Sequence, residues 1–203
     1  MMSIEKLITG FRAFQRDYYE DRPAIYERFV TEGQSPDTMV IACSDSRVSP
    51  SVIMQAKPGD LFVVRNVANL VPPCAQGADL HGTGAAIEYG VRDLKVKTII
   101  VLGHSHCGGI RWMSEGHLST ENREFIDSWV TTASPARPDK VTDETLREAE
   151  KNAVTISLQN LLTYPWVKSA IDHGEIEVLG WLFDMEHGQL LGYDDITGWA
   201  PLS

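Results

Sequence analysis

The stretch MVIACSDSR, residues 39–47, opens with four apolar residues and passes directly into Cys43 and a charged turn. A second stretch of the same design, IIVLGHSHCGG at residues 99–109, carries His104 and Cys107 just beyond its apolar part. Apolar runs this continuous are typical of strands covered on both faces, as in a parallel α/β sheet. In such sheets ligands bind beyond the carboxyl ends of the strands. The sequence therefore predicts that the two cysteines and the histidine meet at one end of the sheet.

The rest of the chain continues the alternation of strand and helix. Apolar runs at residues 61–64 and 176–183 predict two more strands, and residues 83–94 and 142–163 have helical patterns. This alternation predicts parallel strand pairing with right-handed crossovers. The expected fold class is α/β, with a central, mainly parallel β-sheet flanked by helices.

The N-terminal segment has a different pattern, in which apolar residues recur at helical spacing on an otherwise charged stretch. The apolar stripe consists of Ile4, Leu7, Ile8, Phe11 and Phe14. A second helix is predicted from Pro23 to a stop before Gly33. With 203 residues, 43% of them hydrophobic, the chain is expected to form a single domain over 1–203. Residues 1–36 would form a protruding helical arm, and residues 37–203 the α/β core.

Cys43, His104 and Cys107 offer two sulfurs and one nitrogen to a metal ion. Soft donors of this kind suit tetrahedral zinc, and three protein ligands leave the fourth position to water, as in catalytic zinc sites. Two other interpretations stay open. The three residues could simply be small buried side chains at strand ends. A closed structural zinc site would need a fourth protein ligand, for which the candidates are Cys74, His106 and Asp45.

The charge balance restricts the partners of the protein. A net charge of −10 and a pI near 5.0, with no cluster of Lys or Arg, disfavour nucleic acids and anionic membranes. We expect no membrane span, because no apolar segment is long enough, and no secretory or transit signal is visible. Three cysteines without close pairs predict reduced thiols in the cytoplasm rather than a disulfide scaffold. A small neutral substrate fits these features best.

The motifs CSDSR at residues 43–47 and HSHCGG at residues 104–109 together resemble those of the β-class carbonic anhydrases. The resemblance extends to further segments at residues 34–36, 62–69, 82–89 and 160–165. It implies the β-carbonic anhydrase fold, reversible hydration of carbon dioxide to bicarbonate and a proton, and Zn²⁺ held by Cys43, His104 and Cys107. It also implies that the N-terminal helix pair wraps a partner subunit, so that the working unit is a homodimer or a higher homo-oligomer such as a tetramer.

The expected mechanism follows from carbon dioxide being a weak electrophile, which needs hydroxide as its nucleophile. Zinc supplies hydroxide by lowering the pKa of bound water from roughly 16 to about 7 in favourable sites. Two thiolates cancel the charge of the metal, so this zinc should lower the pKa of its bound water less than a zinc with neutral ligands does. We therefore expect activity to rise toward alkaline pH. Asp45 is expected to orient the nucleophile, and Arg47 to hold Asp45 by a bidentate, charge-assisted pair. The resemblance implies that this pair is a gate: when it breaks, Asp45 takes the fourth coordination place and activity stops.

The resemblance also supplies the residues expected to contact substrate, which are Gln34, Phe62, Val67, Tyr89 and the main-chain amide of Gly108. Core packing stays an alternative for the three large side chains, and an ordinary loop position for the glutamine. Val40 stands where a bicarbonate-inhibited subgroup has tryptophan. The chain is therefore expected to belong to the plant-like, non-allosteric subgroup.

Two other functions remain as alternatives. An enzyme on the same scaffold could hydrolyse carbonyl sulfide or carbon disulfide, although residues 62–69 and 82–89 are more similar to the anhydrases. A non-enzymatic, zinc-stabilised protein would instead hold its metal entirely by side chains.

Overall fold

The computed structural model describes residues 3–75, 81–116 and 123–202 of the chain. Contacts within the structure group the chain into two compact units, Met1–Ser35 and Pro36–Ser203. This division falls within one residue of the predicted limit between helical arm and α/β core. That the two units constitute a single domain stays a prediction.

The first unit is a helix pair whose elements are α1 (Ile4–Gln15), a π-helical turn (Arg16–Glu20) and α2 (Pro23–Glu32). The second helix begins and ends where the sequence predicts, with Gly33 at its carboxyl end in a positive-φ conformation, φ 79°, that glycine adopts without strain. The rings of Phe14 and Tyr26 join the two helices, with centroids 5.5 Å apart. Four residues of the predicted apolar stripe are exposed, namely Ile4, Leu7, Ile8 and Phe11.

The second unit is built on a six-stranded sheet in the order β2-β1-β3-β4-β5-β6. Its strands are β1 (Thr38–Cys43), β2 (Leu61–Asn66), β3 (Thr98–His104), β4 (Glu177–Asp184), β5 (Gln189–Asp194) and β6 (Gly198–Pro201). The strands from β2 to β4 pair in parallel, whereas β5 and β6 are added antiparallel. The predicted α/β class with a mainly parallel sheet is confirmed.

Helices flank this sheet. They are α3 (Pro50–Ile53), α4 (Gly82–Glu88), α5 (Gly108–Glu115), α6 (Ile126–Val130), α7 (Asp143–Leu161) and α8 (Pro165–Asp172). The longest, α7, begins with a capping box between Thr142 and Thr145, and it packs against β3, β4 and α5. None of the described helices is long and apolar enough to cross a membrane.

Three details differ from the sequence prediction. The helix predicted over 142–163 ends at Leu161, and Pro165 opens α8, because the first turn of a helix tolerates proline. The strand β2 lies at the edge of the sheet, so its residues are mostly half-buried instead of covered on both faces. The antiparallel strands β5 and β6 are absent from the prediction, since both are only partly buried and β6 has only four residues.

The centre of the sheet is its most buried part. Residues Met39 to Ala42 of β1 have no exposed surface, and Ile99 to Leu102 of β3 are at most 4% exposed. A core of this density holds its side chains in fixed rotamers. The carboxyl ends of β1 and β3 are therefore rigid platforms for the side chains that follow them.

Candidate metal centre

The predicted ligands lie at the carboxyl ends of the two central strands. Cys43 is the last residue of β1, His104 is the last residue of β3, and Cys107 caps the amino terminus of α5. Their ligand atoms all lie within 4.8 Å of one another. All three residues are buried, with at most 5% of their surface exposed. The parallel pairing of β1 with β3 brings together residues that are far apart in the sequence.

His104 has one ring nitrogen that lacks a partner. The Nδ1 atom lies 2.8 Å from the carbonyl oxygen of Ser105, and we assign it the proton because this oxygen can only accept. The Nε2 atom, buried beside the two sulfurs, has no hydrogen-bond partner among the described residues. A buried nitrogen lone pair left bare is costly in a site without a ligand, and this tautomer is the one metal-binding histidines adopt.

The two cysteine sulfurs contact each other, and main-chain N–H groups surround one of them. Hydrogen bonding with Cys107 lowers the pKa of Cys43, and the same contact, added to burial, raises the pKa of Cys107. The amide N–H groups of Asp45 and Ala68 lie 3.5 and 3.3 Å from the Cys43 Sγ and donate to it. Burial is the largest single influence on the pKa of His104 and lowers it, but Cys43, the Ser105 carbonyl and the Asp45 charge together raise that pKa. A cation bound among them would favour both cysteines as thiolates.

Asp45 and Arg47 form the bidentate pair that the sequence predicts. The Arg47 Nε donates to Oδ1 of Asp45 at 2.9 Å, and its terminal nitrogen donates to Oδ2 at 2.7 Å. The hydrogen bonds from Arg47 hold the pKa of the Asp45 carboxyl well below its usual range. The carboxylate is thus charged and directed at the guanidinium.

Arg65 supports this turn from the neighbouring strand β2. Its Nε donates to the carbonyl oxygen of Cys43 at 2.9 Å, and its terminal nitrogen donates to the carbonyl oxygen of Asp45 at 2.6 Å. The sequence alone gives no sign of this contact, because it depends on the register in which Ala42 faces Arg65. Arg65 therefore fixes the main chain between a metal ligand and the aspartate.

Two of the residues expected to contact substrate lie beside the cluster. Val67 follows β2 and is 38% exposed, and its neighbour Ala68 donates to the Cys43 sulfur. Gly108 is the first residue of α5, directly after Cys107. A Cβ atom added to Gly109 would come within 2.7 Å of a Val67 methyl, so this valine packs against the first turn of α5.

The other expected substrate contacts are not brought to the cluster within this unit. The rings of Phe62 and Tyr89 face each other with centroids 6.0 Å apart. Phe62 pairs with Met39, four residues before Cys43, so about 13 Å of strand separate it from the ligands. Gln34 belongs to the first unit, where it is exposed just after α2. The roles of these three residues stay predictions.

The candidates for a fourth protein ligand do not join the cluster. Among the residues that the structure describes, the group of converging donor atoms contains only the two cysteines and His104. The Asp45 carboxylate is directed at Arg47, and the His106 imidazole contacts Glu186 at 2.5 Å. Cys74 packs instead beside the core cluster of Tyr164 and Val71. This arrangement favours three protein ligands over four.

Sequence reasoning missed Glu150, a residue of α7 that reaches the cluster. Its Oε1 accepts the amide N–H of Cys107 at 2.8 Å, and only 4% of the residue is exposed. Burial raises the pKa of its carboxyl group. A signal was available, because Glu150 interrupts the apolar face formed by Leu146, Ala149 and Ala153. A charged residue on the buried face of a helix has to be paired, and this one has a neighbour with a functional role.

The residues present fit a soft divalent cation. Two sulfurs and one bare imidazole nitrogen converge in a buried site, and this donor set is the one that suits zinc. The location, beyond the carboxyl ends of parallel strands, is where α/β enzymes carry their ligands. Fold and site together define a metal-dependent α/β enzyme.

Comparison with known proteins identifies the family. A family model described as carbonic anhydrase matches residues 38–190. A carbonic anhydrase of Synechococcus elongatus is 35% identical over 195 residues, which is 93% of this chain and 71% of the relative. Beta carbonic anhydrase 3 of Arabidopsis thaliana is 36% identical over 195 residues, 92% of this chain and 75% of the relative.

Solved structures agree with the sequence comparisons. The β-carbonic anhydrase CcaA matches with a TM-score of 0.90 and 32% identity, covering 98% of this chain and 92% of its own. A structure from a study of two tetrameric β-carbonic anhydrases of Sordaria macrospora matches with a TM-score of 0.78 and 29% identity, covering 97% and 98%. The chain belongs to the carbonic anhydrase family, in its β class. It is accordingly a lyase of a family that hydrates carbon dioxide, with zinc as the cofactor that its Cys-His-Cys cluster suits.

Proposed function

We propose that this chain catalyses the zinc-dependent, reversible hydration of carbon dioxide to bicarbonate and a proton. The observation that carries the proposal is the convergence of Cys43, His104 and Cys107, with the Asp45 carboxylate two residues from the first ligand and turned toward Arg47. Three protein ligands would leave a place for water, and a paired aspartate would leave that place accessible. Family membership supports the same reaction.

The metal would be held by Cys43 and Cys107 as thiolates and by Nε2 of His104. Zinc in such a site acts as a Lewis acid that lowers the pKa of water, less strongly here than with neutral ligands alone. The Ser105 carbonyl fixes the His104 ring by accepting from Nδ1, and the amide of Ala68 donates to one sulfur. These contacts orient the donors before any metal arrives, which reduces the reorganisation that binding requires.

Asp45 acts by accepting a hydrogen bond from the attacking hydroxyl, so that an oxygen lone pair is directed at the carbon of the substrate. Its charge depends on Arg47, which donates to both carboxylate oxygens. Because the pKa of Asp45 is held low, this acceptor stays ionised throughout the range in which the enzyme works. The same pair would gate the site, since an Asp45 released by Arg47 could itself turn toward the metal.

The substrate would bind beside Val67 and the first turn of α5, where the Gly108 amide can donate to an oxygen of bicarbonate. Val67 is partly exposed and apolar, which suits a small molecule without a net dipole. Phe62 and Tyr89, distant from the cluster of their own chain, would reach the site of a second copy, as Gln34 would. We therefore propose an assembly of at least two subunits. From the sequence features given above, we also propose that the enzyme belongs to the plant-like, non-allosteric subgroup and that it works in the cytoplasm.

Stopped-flow hydration of carbon dioxide by the zinc-loaded protein across pH tests the proposal. We expect turnover to rise toward alkaline pH, because the two thiolates weaken the acidity of water at the metal. Asp45→Asn removes the charged acceptor and should reduce turnover by about 100-fold. An exposed carboxylate in an ion pair of its own, Glu88 with Arg92, provides the control variant Glu88→Gln, which should retain turnover. Zinc-loaded protein without hydration activity at any pH would refute the proposal.

A further inference from the structure

Glu150 is a buried charged residue that the proposed mechanism does not use. It lies on the face of α7 that packs into the core, between the buried residues Ala149 and Ala153. With 4% of its surface exposed, it has lost nearly all contact with water. Placing a carboxyl group there is costly unless partners compensate for the loss of hydration.

Its partners are one side chain and one main-chain group. The Arg147 terminal nitrogen donates to Oε1 at 3.1 Å, and its Nε lies 2.8 Å from Oε2 in an ion pair. The remaining partner is the amide N–H of Cys107, which donates to Oε1 at 2.8 Å. Arg147 explains how the charge is tolerated, and the amide explains why the side chain points toward the metal ligands.

The amide of Cys107 belongs to the peptide group that also contains the carbonyl of His106. Arg47 donates to that carbonyl oxygen at 3.1 Å, using the nitrogen that also holds Asp45. One peptide plane is therefore held from its N–H side by Glu150 and from its C=O side by Arg47. It joins a metal ligand to the aspartate-arginine pair.

This peptide group follows a residue in a strained conformation. His106 has a φ of 58°, in the left-handed region that a residue with a Cβ atom adopts only at a cost in free energy. Such a conformation persists only when surrounding contacts determine it. The imidazole contact with Glu186 and the two hydrogen bonds to the peptide group supply those contacts.

We propose that Glu150 is a positioning residue that fixes the peptide group between His106 and Cys107. In doing so it directs the Cys107 sulfur at the metal and presents the His106 carbonyl to Arg47. The first effect concerns metal binding alone, and the second rests on the function proposed above. Glu150 thus couples the metal ligand Cys107 to Arg47, the residue that keeps Asp45 in place.

The matched variants are Glu150→Met and Glu150→Gln. Methionine has nearly the same length and volume but no oxygen, whereas glutamine keeps an acceptor for the Cys107 amide. Zinc affinity is measured by competition with a chromophoric chelator, and the thiolate charge-transfer band is measured with Co²⁺ in place of zinc. Glu148→Gln is the control, because Glu148 lies on the same helix and forms an exposed ion pair with Lys151.

We expect Glu150→Met to weaken zinc binding by about 10- to 100-fold and to shift the Co²⁺ band, as loss of an outer hydrogen bond to a ligand does. Glu150→Gln should restore most of the affinity, since Arg147 is partly exposed and can turn to water. Zinc affinity of Glu150→Met within twofold of the wild type would overturn the proposal. A Glu150→Gln variant as weak as Glu150→Met would also overturn it, because charge and not the acceptor would then matter.

Two further readouts keep the test decisive. If Glu150→Met does not fold, Glu150→Asp withdraws the acceptor by one methylene and keeps the charge, and unchanged zinc affinity in that variant would equally refute the proposal. Zinc and Co²⁺ binding are measured separately from hydration. A wild type that binds zinc without hydrating carbon dioxide would contradict the proposed function, while the positioning role would still be decided by the affinities.

Discussion

At the scale of single residues, the metal ligands could be predicted because each follows an apolar run whose end is visible in the sequence. Cys43 and His104 needed only the rule that parallel strands end at the same side of the sheet. The contacts of Arg65 and Glu150 could not be assigned in this way, because they depend on strand register and on the docking of α7. The sequence marks Glu150 as a charged residue on an apolar helix face, but it does not show which main-chain group that residue contacts.

Gly109 gives a prediction at this scale. A Cβ atom there would lie 2.7 Å from a Val67 methyl and 3.0 Å from the Ala68 Cβ. Because the Ala68 amide donates to the Cys43 sulfur, Gly109→Ala should displace that donor and destabilise the protein by about 1 to 3 kcal/mol. Urea denaturation of the metal-free protein measures the loss. Gly82→Ala is the control, since nothing lies within 4 Å of its added atom, and equal stability of both variants would contradict the prediction.

At the scale of elements, the buried strands and the long helix can be predicted from the sequence. The ends of helices and the strands at the edge of the sheet are harder to predict. The sequence shows β1 and β3 plainly because tertiary packing demands apolar residues on both faces. The strands β5 and β6 are only partly buried, so neither contains the continuous apolar run that marks β1 and β3. The helix α8 is hidden by Pro165, which can both end one helix and open another.

Tyr164, the residue before α8, gives a prediction about alkaline stability. It is 4% exposed, its hydroxyl donates to the Pro72 carbonyl at 3.1 Å, and burial raises its pKa to about 12. In the unfolded chain this phenol ionises near the ordinary tyrosine pKa of 10.0, while the folded chain keeps it neutral at that pH. Ionisation therefore favours unfolding above the unfolded pKa, and this contribution to stability is lost as pH rises toward the folded value.

The variant Tyr164→Phe tests this sign. Because it lacks the hydroxyl hydrogen bond, its free energy of unfolding at neutral pH should be about 1 kcal/mol lower than that of the wild type. Between pH 10 and pH 12 its free energy of unfolding should fall by less than that of the wild type. Urea midpoints at neutral pH and near pH 11 provide the measurement. The same alkaline decline in both proteins would show that Tyr164 is not responsible.

At the scale of the whole molecule, fold class and family follow from two motifs and their spacing, whereas the arrangement of subunits does not. Phe62 and Tyr89 illustrate the reason, since the family resemblance predicts that they contact substrate, yet Phe62 lies along β2 from the cluster of its own chain and Tyr89 lies beside Phe62. One sequence specifies one chain, and exposed apolar residues such as Leu7 and Phe11 of α1 do not by themselves identify what would cover them.

Metal removal gives a prediction for the molecule as a whole. A cation bound only by the folded state stabilises it by about 4 kcal/mol when its concentration is a thousand times its Kd. Chelation should therefore lower the melting temperature markedly, and excess zinc should restore it. Differential scanning calorimetry with and without chelator measures the effect. Cys43→Ser, which lacks one soft donor, should show a smaller difference, and a chelator effect as large as in the wild type would argue against this site.

The separation of Cys43 from His104 by sixty-one positions has a consequence for how the molecule assembles. An ion can join them only when the long loop of chain between them is closed, and closing that loop costs conformational entropy. A nascent polypeptide cannot close that loop until β1 and β3 have found each other. Uptake of the ion is therefore a late event in folding, and its rate reports when the central pair of strands has formed.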